Sequence, residues 1–185
     1  MFYILINLTL EEIARSYENI NNIRGIYSIT YYLNGGESYS QYEGNFIMKN
    51  LYEINYEVKV ITFKEQFKKY VNGIISVKYE KVNIDIPDIN YRDVLIPNEE
   101  REDHGVKYKI TNIEFFNPYA LLHFLSGFSD KEYKIEDKGE YIKVRIELKG
   151  GYKVYEFIID AENYYIKSLM FWTMSIPLAK VEFLY

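Results

Sequence analysis

The sequence contains no cysteine and only two histidines among its 185 residues. The lack of cysteine excludes a disulfide framework, thiol catalysis and thiolate metal sites. His104 lies in a charged stretch and His123 in an apolar one, and no serine has the setting of a nucleophile elbow. A glycine-rich phosphate loop, a dinucleotide fingerprint and a His-x-x-x-His pair are also missing. The sequence therefore predicts a protein that is not an enzyme and needs no cofactor.

Clustered positive charge and long apolar segments are also scarce. The net charge is −5, and Lys alternates with Glu along the chain, so no nucleic-acid partner is expected. The apolar run at residues 2–6 is far shorter than the roughly 20 residues that a membrane-spanning helix needs. Residues 1–8 resemble the end of a secretory signal's apolar core. We interpret them either as the remnant of a truncated or mis-started signal peptide, or as a first strand or a flexible start of the chain.

No linker rich in Pro, Gly or Ser divides the chain, so we predict a single domain over residues 1–185. Most of the sequence has the two-residue alternation of strands, and it is rich in aromatic residues, including 21 tyrosines. Residues 51–60 show the cleanest pattern, with every second side chain apolar: Tyr52, Ile54, Tyr56, Val58 and Val60. The pair Asn72-Gly73 predicts a tight hairpin between two further strands.

Two helices interrupt the strands. Thr9 and Glu12 form a capping-box pattern before an apolar stripe at residues 10–20, which predicts an amphipathic N-terminal helix. In residues 117–127, Asn117 is a helix cap, Pro118 suits the first turn, and Gly127 supplies a left-handed end. Because this second helix has almost no polar side chains, we expect it to be covered on all sides.

The long connection at residues 88–112 carries an acidic cluster with His104, at residues 98–104. Carboxylates in one contiguous loop are usually solvated, so no metal site is predicted there. Together, the strand and helix patterns predict a mainly β (α+β) fold, with about ten or eleven antiparallel strands, an N-terminal helix and an apolar lid or plug helix. The apolar helix against an aromatic sheet face is either a packed core or the plug of a cavity for an apolar ligand, and periodicity does not distinguish the two.

The order of four segments resembles the periplasmic outer-membrane lipoprotein carrier family, the LolA-like proteins. The segments are Ile-Arg-Gly-Ile-Tyr-Ser at 23–28, the strand pair at 46–56, the hairpin at 70–79, and Asn-Pro-Tyr-Ala-Leu-Leu at 117–122. The resemblance implies an unclosed antiparallel half-barrel whose concave face, lidded by helices, accepts the acyl chains of lipoproteins. Asn50 stands where the family usually has an arginine that latches the lid, and it is the latch candidate here.

The resemblance therefore implies a monomeric periplasmic carrier that ferries lipoproteins towards the outer membrane. Its partners would be acylated lipoproteins or other lipids, an inner-membrane release complex and an outer-membrane receptor. The alternative is a lipid- or lipoprotein-sensing envelope regulatory module of the same fold. The expected lipid-binding residues are Tyr27, Ile29, Tyr31, Phe46, Ile54, Tyr56, Val58, Leu121, Leu122, Phe124 and Leu125.

Overall fold

One ten-stranded antiparallel sheet dominates the computed structural model, which describes residues 8–33, 37–63, 67–79, 81–86, 100–103, 106–109, 116–148 and 150–185. The strands of the described part are β1 Asn21–Leu33, β2 Glu37–Asn50, β3 Glu53–Phe63, β4 Phe67–Lys78, β5 Lys81–Asp85, β6 Glu100–Asp103, β7 Val106–Lys109, β8 Lys131–Asp137, β9 Tyr141–Leu148, β10 Lys153–Asp160, β11 Ile166–Thr173 and β12 Ile176–Leu184. Two helices accompany them in these ranges, α1 Leu10–Ser16 and α2 Pro118–Ser126.

The sheet runs β5-β4-β3-β2-β1-β12-β11-β10-β9-β8 and does not close, because β5 and β8 lie at its two edges without pairing to each other. Two meanders form its halves, β1 to β5 and β8 to β12, and the pairing of β1 with β12 joins them. Strands β6 and β7 form a separate hairpin. The predicted fold class, an unclosed antiparallel half-barrel with two helices, is confirmed.

The core lies on the sheet face that α1 and α2 cover. Tyr27, Ile29 and Tyr31 of β1 are almost fully buried, whereas Ile26, which precedes Tyr27, is 54% exposed, which is the alternation expected of a half-buried strand. Helix α1 begins with the predicted capping box, in which the Thr9 hydroxyl accepts from the Glu12 N–H at 3.2 Å. Its Leu10, Ile13 and Ala14 complete the core from the helix side.

The predicted hairpin at Asn72-Gly73 is wrong. Both residues lie inside β4, which pairs with β3 on both sides of them. The register passes from Val58 opposite Gly73 to Val60 opposite Tyr70, so the extra residue forms a β-bulge rather than a turn. Glycine is required there because a Cβ would lie only 2.6 Å from Ile86 Cγ1.

Two further predictions need correction. Tyr52 does not share the buried face of Ile54, Tyr56 and Val58, because β3 begins one residue later and Tyr52 belongs to the preceding turn, 42% exposed. Gly127 ends α2 with a φ of −83°, in the right-handed region, and its N–H bonds the Phe124 carbonyl at 3.2 Å. The helix therefore ends without a left-handed residue.

Several predictions concern residues outside the described ranges. These include residues 1–7 of the signal remnant, His104, and most of the connection at 88–112, from which only the β6–β7 hairpin is described. Neither described helix is long and apolar enough to cross a membrane. Within the described ranges, no three His, Asp or Glu side chains are grouped as metal ligands would be.

Candidate functional site

The N-terminus of α2 is fixed to the sheet by one buried side chain. Asn117, 2% exposed, accepts the Ala120 N–H through Oδ1 at 3.1 Å and donates from Nδ2 to the Leu51 carbonyl at 2.8 Å. Just before it, the Tyr56 hydroxyl donates to the Phe116 carbonyl. The helix start is therefore tied both to the turn between β2 and β3 and to the middle of β3.

Three linked hydrogen bonds hold the first turn of α2 to β11 and to the C-terminal Tyr185. The Ile166 N–H donates to the Tyr119 hydroxyl at 3.0 Å, and the Tyr185 hydroxyl donates to the Ile166 carbonyl at 2.6 Å. Because the Tyr185 proton is used in that bond, Tyr119 is the donor in the contact between the two hydroxyls. Burial is the main factor that raises the pKa of both phenols, so both stay protonated at neutral pH.

The C-terminus of α2 is stabilised by a lysine from the next strand. Lys131 Nζ donates to the Ser126 carbonyl at 2.7 Å and to the Phe128 carbonyl at 2.6 Å. A cation at this position satisfies carbonyls that the helix leaves without partners and complements its dipole. Helix α2 is therefore held by hydrogen bonds at both of its ends.

The two faces of α2 have different surroundings. Leu122 and Tyr119 are fully buried, and the Tyr119 ring packs edge-to-face against Tyr17 with centroids 4.9 Å apart. Phe124 on the other side is 63% exposed. The expectation that this helix is covered on all sides is therefore wrong, because the described residues leave one face open.

That open face is the floor of a groove of about 880 Å³ between the two ends of the sheet. One wall comes from the turn before β3 and the junction of β4 with β5, and the other from β9 and β10. The floor residues are Asn117, Ala120, Leu121, Phe124, Leu125 and Phe128; the walls are Tyr52, Lys78, Tyr79 and Lys81 on one side and Leu148, Lys153 and Tyr155 on the other.

Aromatic rings account for much of the groove's apolar surface. Tyr52 and Tyr79 stack with centroids 5.5 Å apart and planes 19° apart, and both remain partly exposed. Phe124 and Phe128 contact each other at 5.4 Å on the floor. Exposed, contiguous aromatic surface in a concavity is typical of a binding site for an apolar ligand.

Among the residues that the structure describes, the charged residues lining the groove are all of one sign. Three lysines, Lys78, Lys81 and Lys153, contribute to its walls, and none of the described Asp or Glu residues does. This contrasts with the net charge of −5 for the chain as a whole. The groove thus combines an apolar floor with cationic walls, the arrangement that suits an amphipathic anion.

The structure places the predicted lipid-binding residues in two environments. The seven sheet residues Tyr27, Ile29, Tyr31, Phe46, Ile54, Tyr56 and Val58 are at most 1% exposed in the core, with the Tyr27 and Tyr56 rings 4.5 Å apart. Leu122 is buried with them, whereas Leu121, Phe124 and Leu125 line the groove. Their role in lipid binding stays a prediction.

Asn50, the latch candidate, is exposed and accepts the Tyr52 N–H through Oδ1 at 2.9 Å. It thereby shapes the turn that carries Tyr52 into the groove wall. The described hydrogen bond between this turn and α2 comes from Asn117 to the neighbouring Leu51 carbonyl. A latch role for Asn50 stays a prediction.

Sequence reasoning missed all of the groove walls and part of the floor. The missed residues are Tyr52, Lys78, Tyr79, Lys81, Leu148, Lys153 and Tyr155 in the walls and Asn117, Ala120 and Phe128 in the floor. Tyr52 and Tyr79 had a usable signal, because each is a large aromatic residue at a turn, where no core requires it. The lysines and Phe128 had none, because only the folded sheet brings them around α2.

Comparison of the sequence with models of protein families and with curated proteins gives no match. Among solved structures, the chain is similar in fold to a LolA superfamily protein from Nitrosomonas europaea, with a TM-score of 0.41 and 8% sequence identity. The alignment covers 96% of this chain and 92% of that one. A likeness of this degree says nothing about function.

Proposed function

We propose that the protein is a periplasmic carrier that holds the acyl chain of a lipoprotein, or of another lipid, in the groove over α2. The main observation in support of this proposal is the exposure of the Phe124 side chain. It is 63% exposed on a helix whose opposite face is fully buried, and it lies on the floor of a groove of about 880 Å³. That volume is within the usual range of roughly 300 to 1,000 Å³ for ligand pockets.

The energetic reason for such a carrier is the cost of exposing an acyl chain to water. Each methylene removed from water contributes about 0.8 kcal/mol, so a whole chain in transit would cost on the order of 10 kcal/mol. A groove with exposed aromatic rings lowers this cost, and the bound chain in turn covers Phe124 and Phe128. Transfer towards an outer-membrane receptor, after release from an inner-membrane complex, is the part of the proposal that rests on the sequence resemblance.

The first test is to extract freshly purified protein with organic solvent and identify lipids by mass spectrometry. Delipidated protein would then be titrated with a fluorescent fatty-acid probe. Phe124→Ser should weaken probe binding by about tenfold, as expected for the loss of a large apolar contact.

Phe67→Ser is the matched control, because Phe67 is also a strongly exposed phenylalanine, 71%, but lies at the far end of β4 and does not line the groove. It should bind the probe as the wild-type protein does. If no lipid co-purifies and the wild-type protein binds no probe, the carrier proposal fails. Equal losses in both variants would place the binding site elsewhere.

A further inference from the structure

Two lysines in the groove wall are direct neighbours across a strand pair. Lys78 at the end of β4 and Lys81 at the start of β5 are register partners, so their side chains project on the same face. Like charges in this position repel each other and destabilise the pair. Within the described residues, no carboxylate forms an ion pair with either ammonium group.

The nearest acidic register partner offsets only part of this charge. Glu53 lies opposite Lys78 on β3, but its Oε1 is paired with Lys49 Nζ at 2.6 Å. The hydrogen bond from Lys49 is the main cause that lowers the pKa of the Glu53 carboxyl, and the charge of Lys78 makes a smaller contribution. Lys49, Glu53, Lys78 and Lys81 together carry three positive charges and one negative charge. A bound anion would relieve the repulsion between Lys78 and Lys81.

The apolar floor and the lysine pair lie in the same groove, so they can contact two parts of one molecule. We propose that the groove selects acyl lipids with a negatively charged oxygen headgroup, a carboxylate or a phosphate, which binds between Lys78 and Lys81 while the chain lies over Phe124. This inference rests on the proposed acyl-binding function and adds the class of headgroup. The stacked Tyr52 and Tyr79 would lie beside the junction of headgroup and chain.

The test compares three lipids with the same chain: palmitate, palmitoyl lysophosphatidate and the uncharged monopalmitoyl glycerol. Each competes with the fluorescent probe below its micelle-forming concentration. We expect the two anions to bind about tenfold more tightly than the glycerol ester in dilute buffer, and this preference to shrink at high salt because ions screen exposed charges.

The double variant Lys78→Met/Lys81→Met keeps the aliphatic stems and removes the charges. Each lysine should account for about a two- to fivefold change in affinity for the anions, as is usual for partly exposed ion pairs. Affinity for the glycerol ester should not change. The control Lys68→Met removes an exposed lysine from the same strand, about 30 Å away from the groove, and should bind all three lipids as the wild-type protein does.

The possible results separate the inference from the function on which it rests. A loss of affinity for both anions supports a general oxyanion site, and a loss confined to lysophosphatidate supports a phosphate site. Wild-type protein that binds all three lipids equally would overturn the headgroup inference alone. Equal losses for the ester and the anions in the double variant would do the same. Wild-type protein that binds none of the three would overturn the proposed function as well.

Discussion

Asn117 combines two structural roles in one buried amide. Its oxygen caps α2 and its nitrogen satisfies the Leu51 carbonyl in the turn between β2 and β3. Because the same turn carries Tyr52 into the groove, Asn117 also fixes the floor of the groove relative to one wall.

Replacing Asn117 with alanine should therefore cost more than the loss of an ordinary cap. A cap is worth about 0.5 to 2 kcal/mol and an unsatisfied buried group about 1 to 3 kcal/mol, so we expect Asn117→Ala to lower the free energy of unfolding by about 2 to 4 kcal/mol. Asn117→Ser keeps a capping oxygen and should lose less. Urea unfolding followed by circular dichroism measures both.

Asn50→Ala is the control for this prediction. Asn50 is an exposed turn residue whose side chain accepts one backbone N–H, so its loss should cost no more than about 1 kcal/mol. A similar small loss for Asn117→Ala and Asn50→Ala would contradict the role assigned to Asn117.

At the scale of the element, α2 has one face that packs and one that does not, and two neighbouring truncations distinguish them. Leu122 is fully buried, so Leu122→Ala should leave a hole and lower the free energy of unfolding by about 2 to 5 kcal/mol. Phe124 is 63% exposed, so Phe124→Ala should cost less than about 1 kcal/mol in the unliganded protein.

Denaturant unfolding of the delipidated variants checks this pair. A core-sized loss for Phe124→Ala would mean that its ring is packed against something outside the described residues. A loss below about 2 kcal/mol for Leu122→Ala would favour the displaceable plug instead, because an incompletely packed side chain leaves a smaller hole.

The elements were predictable from sequence to the extent that periodicity and caps specify them. Local sequence patterns predict several features that the structure contains: the capping box at Thr9, the Asn117 cap and the alternation in β1 and β9. Asn72-Gly73 has the same local signature whether it forms a hairpin or a bulge, and only the pairing of β4 with β3 along its whole length decides. The groove was harder to predict, because its walls come from strand ends that are distant in sequence.

At the scale of the whole molecule, the open sheet leaves room for two modes of ligand binding. In one, the ligand lies in the groove over the exposed face of α2, and the helix stays in place. In the other, the ligand displaces α2 from the sheet and occupies the space of the core. Displacement would break the hydrogen bonds of Asn117, the linked hydroxyls of Tyr119 and Tyr185, and the contacts of Lys131.

Hydrogen exchange of the α2 amides in the presence and absence of palmitate tests which mode applies. Since hydrogen bonds hold the helix at both of its ends, we expect bound palmitate to slow exchange at residues 121–125. At a ligand concentration of about 100 times Kd, binding stabilises the bound form by about 2.7 kcal/mol, which permits up to about a hundredfold slowing. Amides in the middle of β1 and β12, whose residues do not line the groove, are the internal control for global stabilisation. Slowing of these control amides by the same factor would attribute the effect to global stability.

Faster exchange in α2 on binding would show that the helix leaves the sheet, and would make the buried residues around Tyr56 the acyl site instead of the groove.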